Sequence, residues 1–274
     1  MKINIFVFIT FFSLLAMGGV YDPANYNSIE IKQYPFVVAL GNSPSTTAGC
    51  TGILISEDII ITADHCIVSL FKFQTERLDI YRNRLVTDSV PPSPANGDWD
   101  GQLIFIESGS MGLSPDGSPF ERTLTPDFRY LDYAIYKLLW FDGKKKSISP
   151  VKMKKTSSVV GDQVKLIGYP IFNQGQLTES TGEILSVSFE VPLSSGGVAY
   201  LQNLIVYNCS QGKQNSGGPL LDANTGELIG IASQSGETKD RNDINLQNHS
   251  AATPLNEIRK QSLILKLIES QSQF

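Results

Sequence analysis

The sequence predicts an all-β protein built as two small barrels side by side, with one C-terminal helix. Three observations carry that reading. Short apolar and β-branched runs recur between turn signals along nearly the whole chain: Phe36 to Leu40, Gly52 to Ile55, Ile59 to Thr62, Leu103 to Ile106, Tyr133 to Leu138, Val164 to Ile167, Ile184 to Val187, Leu204 to Val206 and Leu228 to Ala232. Helical periodicity is confined to the end, where Leu255, Ile258, Ser262, Leu265 and Ile268 share a face after Pro254. The chain has 274 residues, 41% of them hydrophobic and 18% charged, which suits a folded protein of two fused small domains.

In chain order, Lys2 precedes an apolar run from Ile5 to Met17 that ends in small residues, Ala16, Gly18 and Gly19. A run of about 13 residues is too short for the roughly 20 that span a bilayer, and it reads as a secretory signal peptide over residues 1–18. Cleavage is expected after Gly18 or Gly19, which makes the mature protein secreted, extracellular and without a stable membrane anchor. The mature chain, 19–274, divides into a first barrel at about 30–140, a second at about 150–252 and a helix at about 254–270. The lysine-rich stretch from Phe141 to Lys155 is the junction, and Val90-Pro91-Pro92-Ser93-Pro94 through Gly101 reads as a long surface loop.

The formal net charge is −5, and loss of Lys2 makes it more negative, so a nucleic-acid partner is excluded. Lys144-Lys145-Lys146 and Lys152, Lys154 and Lys155 read as a solvated linker face. Three cysteines in a secreted chain make one bridge and one leftover. Cys50 and Cys66 bracket a hairpin and can bridge its base, which would contribute about 3 kcal/mol in the chain-entropy estimate. Cys209 is then free, buried or paired outside the chain. Asn208-Cys209-Ser210 and Asn248-His249-Ser250 are glycosylation sequons that fit the same compartment.

The chemistry lies in three motifs. Asn215-Ser216-Gly217-Gly218-Pro219 puts a serine in a glycine-rich turn; Ile61-Thr62-Ala63-Asp64-His65-Cys66 supplies an imidazole; Leu131-Asp132-Tyr133-Ala134-Ile135 supplies a carboxylate at a strand start. A serine hydroxyl is a weak nucleophile at neutral pH and needs a base to take its proton and a third group to orient that base. With only two histidines in the chain, His65 is the one with motif support, and His249 reads as structural. Neither a Gly-x-Ser-x-Gly elbow nor a His-Glu-x-x-His zinc motif is present, so no metal and no cofactor is expected.

These three motifs, in this order, resemble the chymotrypsin-like serine proteases. In the second half, Gly168-Tyr169-Pro170, Glu179-Ser180-Thr181-Gly182-Glu183-Ile184 and Asn215 are similar to the branch that includes bacterial glutamyl endopeptidases. The resemblance implies two six-stranded antiparallel barrels with the site between them. It also implies His65, Asp132 and Ser216 as the catalytic triad of an endopeptidase working through an acyl-enzyme. An oxyanion hole formed by the backbone N–H groups of Gln214 and Ser216 is implied as well. Ser210, Ser233, Gln234 and Ser235 are the implied substrate-binding residues, Ser233 also bracing Asp132. A monomer acting on protein or peptide substrates, open to proteinaceous inhibitors, is the expected partner pattern.

Three positions depart from the family pattern. Gln214 stands where the family has glycine, and Asp64 replaces a small residue, where its carboxylate would raise the pKa of His65 or compete with Asp132. Both also fit a second reading, a pseudoprotease that binds or regulates without chemistry. Asn215 stands where many members carry an aspartate that pairs with a freed Ile-Val amino terminus, and the chain lacks that segment too, so activation by that route is not expected. No acidic residue near Ser210 selects Arg or Lys. Ala232 and its neighbours offer no histidine to neutralise a glutamate, which leaves only His249.

Overall fold

The computed structural model describes residues 27–41, 49–66, 78–81, 99–109, 111–113, 119–121, 129–140, 148–170, 176–195, 198–212, 215–235 and 249–271. The expected signal segment, Lys144-Lys145-Lys146, Gln214 and the Asn248 sequon position lie outside them, as do the side chains of Gln234 and Ser235. Of the expected surface loop, residues 90–98 lie outside, while Trp99–Gly101 belongs to a strand.

The first barrel is closed by β2 (Val37–Gly41), β3 (Cys50–Leu54), β4 (Ile59–Thr62), β5 (Leu78–Tyr81), β6 (Trp99–Ser108) and β10 (Ala134–Trp140). Its strand order is β10-β4-β3-β2-β5-β6, and every pairing is antiparallel. A small hairpin, β7 (Met111–Leu113) with β8 (Pro119–Glu121), follows β6. The second sheet runs β1 (Asn27–Ser28), β12 (Thr178–Ser195), β11 (Gln163–Gly168), β14 (Pro219–Asp222), β15 (Leu228–Ser235), β16 (Ser250–Pro254), β13 (Val198–Tyr207), β9 (Arg129–Tyr130). Because β12 also pairs with β13, the six strands β11 to β16 close into the second barrel.

The apolar runs lack a polar alternate because many of these strands are buried on both faces. Along β2, Val38 and Leu40 point into the first barrel with Leu54, Ile60 and Leu138, whereas Val37 and Ala39 belong to a second cluster between the barrels. That cluster joins Ile53, Ile61, Tyr133 and Ile135 to Ile167, Tyr169, Leu221 and Ile231 of the second barrel. Period-two alternation therefore sorts residues between two cores, and the inter-barrel core fixes how the halves meet.

The single expected helix is two: α1 (Leu255–Gln261) and α2 (Leu263–Gln271). Leu255, Ile258 and Leu265 do share the buried face, against the inter-barrel cluster. Ser262 breaks the run because its hydroxyl has better partners than a helix offers. It donates to the Glu107 carboxylate of β6 and accepts the Leu265 N–H at 3.0 Å, capping α2. Arg259 adds Nη1 to the Lys154 carbonyl at 2.6 Å and Nε to Glu269 at 2.5 Å. Lys154 itself is not part of a solvated face: its ammonium meets Asp222 at 2.6 Å and Asp162 at 3.5 Å, and its side chain is 13% exposed.

Candidate functional site

β4 delivers His65. The strand ends in a short turn, closed by the Cys66 N–H on the Ala63 carbonyl at 3.2 Å, and a disulfide ties Cys66 to Cys50 of β3 with Cα atoms 6.2 Å apart. The imidazole is 44% exposed while Asp132 is buried. Cys209 is the free cysteine, buried, its thiol pushed up to about 12 by burial.

Asp132 sits in the Leu131–Tyr133 link between β9 and β10. Parallel pairing of Arg129 and Tyr130 with Leu201 and Gln202 of β13 crosses from one half to the other immediately before it. Gly109 packs so closely on this link that a Cβ there would lie 1.6 Å from the Leu131 carbonyl oxygen, which excludes any side chain. Three donors converge on the carboxylate. The His65 backbone N–H reaches Oδ1 at 2.9 Å, His65 Nδ1 lies 2.7 Å from Oδ2, and the Ser233 hydroxyl of β15 donates to Oδ2. Thr253 of β16 donates its hydroxyl to the Asp132 carbonyl at 3.1 Å.

Ser216 lies half-buried on the turn between the 208–212 segment and β14. The turn is closed by Asn215 N–H to the Gly212 carbonyl at 3.2 Å and Gly218 N–H to the Asn215 carbonyl at 2.8 Å. It is stitched to the histidine region: the Thr51 N–H donates to the Ser216 carbonyl at 2.8 Å, and the Thr62 hydroxyl holds the Thr51 carbonyl at 2.7 Å. Gly217 makes this approach possible. It has φ +82°, and a Cβ would stand 2.0 Å from Thr62 Oγ1 and 2.1 Å from the Thr51 carbonyl oxygen. Gly217→Ala is expected to lower unfolding free energy by roughly 2–6 kcal/mol, from positive-φ strain plus overpacking, as read from urea unfolding.

The electrostatics follow from these contacts. Partial desolvation of the His65 ring pulls its pKa down, but the Asp132 charge and hydrogen bond, with Asp64 adding, outweigh it and raise His65 above the ordinary value. Burial alone would raise Asp132; His65 and the hydroxyl of Ser233 hold it below the usual carboxylate range instead. Asp64 is buried but does not replace Asp132, which takes both bonds from His65. Asp64→Asn removes a charge that favours the imidazolium, so the acidic limb of kcat/KM against pH is expected to move to lower pH. Activity profiles of the two proteins check this.

The geometry thus groups His65, Asp132 and Ser233 by side-chain hydrogen bonds, and the backbone of the Ser216 turn is held against Thr51 and Cys66 of the histidine region. Ser210 is buried on the segment leading to Ser216, and Cys50 and Cys66 are joined as expected. Gln214 lies outside the described residues, so of the two residues expected to form an oxyanion hole only Ser216 is described. Three residues to which the sequence assigned no role hold the site: Thr51, Thr62 and Thr253. Each is a threonine that the structure places in a strand, in β3, β4 and β16, and its residue type alone does not set it apart from any other β-former.

A two-barrel arrangement of this kind is the chymotrypsin-like fold. A family model for the trypsin-like peptidase domain matches residues 50–231, and the chain belongs to that family. The closer likeness to glutamyl endopeptidases is not part of that match. Among solved structures, the Rv3671c protease of M. tuberculosis in its inactive form is 18% identical with a TM-score of 0.52, covering 84% of this chain and 89% of that one. The MamO protease domain from Magnetospirillum magneticum is 16% identical with a TM-score of 0.52, over 83% and 96% of the two chains. A serine endoprotease from Yersinia pestis is 19% identical with a TM-score of 0.50, over 87% and 65%. At these identities the likeness is one of fold. No curated protein sequence matches significantly.

Proposed function

We propose that the protein is a secreted serine endopeptidase in which Ser216 is the nucleophile, His65 the general base and acid, and Asp132 the group that orients His65. The observation that carries this is the convergence on Asp132. An Asp132 carboxylate bonded to Nδ1 holds the imidazole with that nitrogen protonated, leaving Nε2 as acceptor for a serine proton. Ser216 attacks the peptide carbonyl, His65 takes the hydroxyl proton and passes it to the leaving amine, and water then releases the acyl group by the same exchange. The Ser216 N–H is one donor for the developing oxyanion, with Gln214 N–H the proposed other.

The family membership and the preserved histidine–carboxylate pair support an active enzyme over a pseudoprotease. Asn215 supports maturation without a new amino terminus, since a neutral amide lacks the charge to pair with an ammonium. The disulfide is compatible with an oxidising, extracellular compartment. The mature protein is expected to fragment an unfolded polypeptide and to lose that activity on treatment with a fluorophosphonate. Intact polypeptide after prolonged incubation with folded protein would sink the proposal.

A further inference from the structure

We infer that Asn208 is an N-glycosylation site, its amide nitrogen taking an oligosaccharide before the end of β13 docks against β12 and β16. The inference rests on the secreted reading of the chain and adds a covalent modification to it. Asn208-Cys209-Ser210 has the Asn-x-Ser/Thr pattern of an acceptor, but the pattern alone does not say whether the folded protein can carry a sugar. Exposure decides that. Asn208 is exposed just past the end of β13, between Tyr207 and Cys209, which are both fully buried. A bulky, solvated glycan can stand on Asn208, whereas either neighbour would have to drag it into the core.

The hydrogen bonds of Asn208 leave the reacting atom open. A side-chain amide offers one acceptor oxygen and two N–H donors. Oδ1 accepts the Glu183 N–H of β12 at 2.7 Å, and because that donor needs an oxygen, the bond fixes which way the amide is turned. Nδ2 has no partner among the described residues. Glycosylation makes the primary amide a secondary one and keeps its oxygen, so the bond to Glu183 survives the modification. Gly182 permits the arrangement: a Cβ there would stand 2.3 Å from Asn208 Oδ1 and 2.7 Å from the Cys209 nitrogen, pushing the amide off β12.

The rest of the motif sets the order of events. An acceptor needs a hydroxyl two residues after the asparagine, and in the fold that hydroxyl is out of reach, with Ser210 only 1% exposed. The Ser180 hydroxyl holds the Ser210 carbonyl at 2.7 Å, and the Ser250 hydroxyl holds the Cys209 carbonyl at 3.1 Å. Strands β12 and β16 therefore close over a segment that a transferase must read while it is still open. Nδ2 attacks the anomeric carbon of a lipid-diphosphate-linked oligosaccharide. The N–C bond forms, the bond from that carbon to the diphosphate oxygen breaks, one amide proton passes to a base of the transferase, and the lipid diphosphate leaves.

The full chain, expressed in eukaryotic cells with its own amino terminus, tests this. Mass spectrometry of the secreted protein is expected to find a glycan on the peptide containing Asn208, released by peptide-N-glycosidase with conversion of the asparagine to aspartate. Asn208→Asp keeps an oxygen for Glu183, and Ser210→Ala removes a hydroxyl that has no partner among the described residues. Each is expected to lose the glycan completely. Detergent-opened microsomes supplied with the lipid-linked donor are expected to modify the reduced, unfolded chain and not the folded one. Secreted protein whose Asn208 peptide is bare, or whose Ser210→Ala variant still carries the glycan there, overturns the inference alone. Equal modification of folded and unfolded chains overturns the order of events. Protein that stays in the cytosol without a glycan overturns the secreted reading and the inference with it.

Discussion

Ser216→Ala is expected to lower kcat by about a millionfold while leaving the fold intact, the size of loss that removal of a triad nucleophile produces. The two halves of that expectation have separate causes. The hydroxyl is the atom that forms the acyl bond, so nothing nearby can substitute for it. Stability is held instead by the backbone of the turn: the Ser216 carbonyl bonded to Thr51 N–H, and Gly217 bonded to the Ala232 carbonyl at 2.7 Å. Alanine keeps both. Steady-state rates and melting temperatures of the parent and variant separate chemistry from folding, in contrast to Gly217→Ala, where the fold itself is strained.

Asp132→Asn is expected to reduce kcat by about ten-thousandfold. Three donors meet this side chain: the His65 N–H on one oxygen, and His65 Nδ1–H with the Ser233 hydroxyl on the other. An amide has one acceptor oxygen, so its NH2 group faces donors whichever way it is turned. Turned toward Nδ1, it donates to that nitrogen and selects the other imidazole tautomer, with Nε2 protonated and no lone pair for Ser216. Turned toward the backbone, it opposes the His65 N–H in a buried place. The ionised carboxylate also ties stability to pH. Its folded pKa is depressed, so the stability it contributes is present above the unfolded carboxylate range and is lost as pH falls through the folded value. Asp132→Asn removes that acid sensitivity, which urea unfolding across acidic pH would register.

Much of this was legible in the sequence because the decisive features are local. Strand runs, turn glycines and the three motifs each declare themselves within a few residues, and Ser233 was readable as a brace for Asp132. What escaped was set by partners far apart in the chain. Ser262 looked like one more position on a helical face until Glu107 of the first barrel engaged its hydroxyl. Lys154 looked solvated until Asp222 and Asp162 folded against it. β14 was hidden because its residues continue the serine motif, and the 18 residues of β12 extend on both sides of the Ile184 to Val187 run, through polar residues and Pro192 that carry no apolar strand pattern. Thr253 carries no pattern at all; its role exists only once β16 lies behind Asp132.

The account turns on Ser216 being activated by His65. Mass-spectrometric mapping of a fluorophosphonate adduct tests this most directly, comparing the mature protein with His65→Ala. The expected result is one adduct, on the peptide containing Ser216, that is lost or strongly slowed in the histidine variant. An adduct on another residue, or equal labelling of Ser216 without His65, would contradict it.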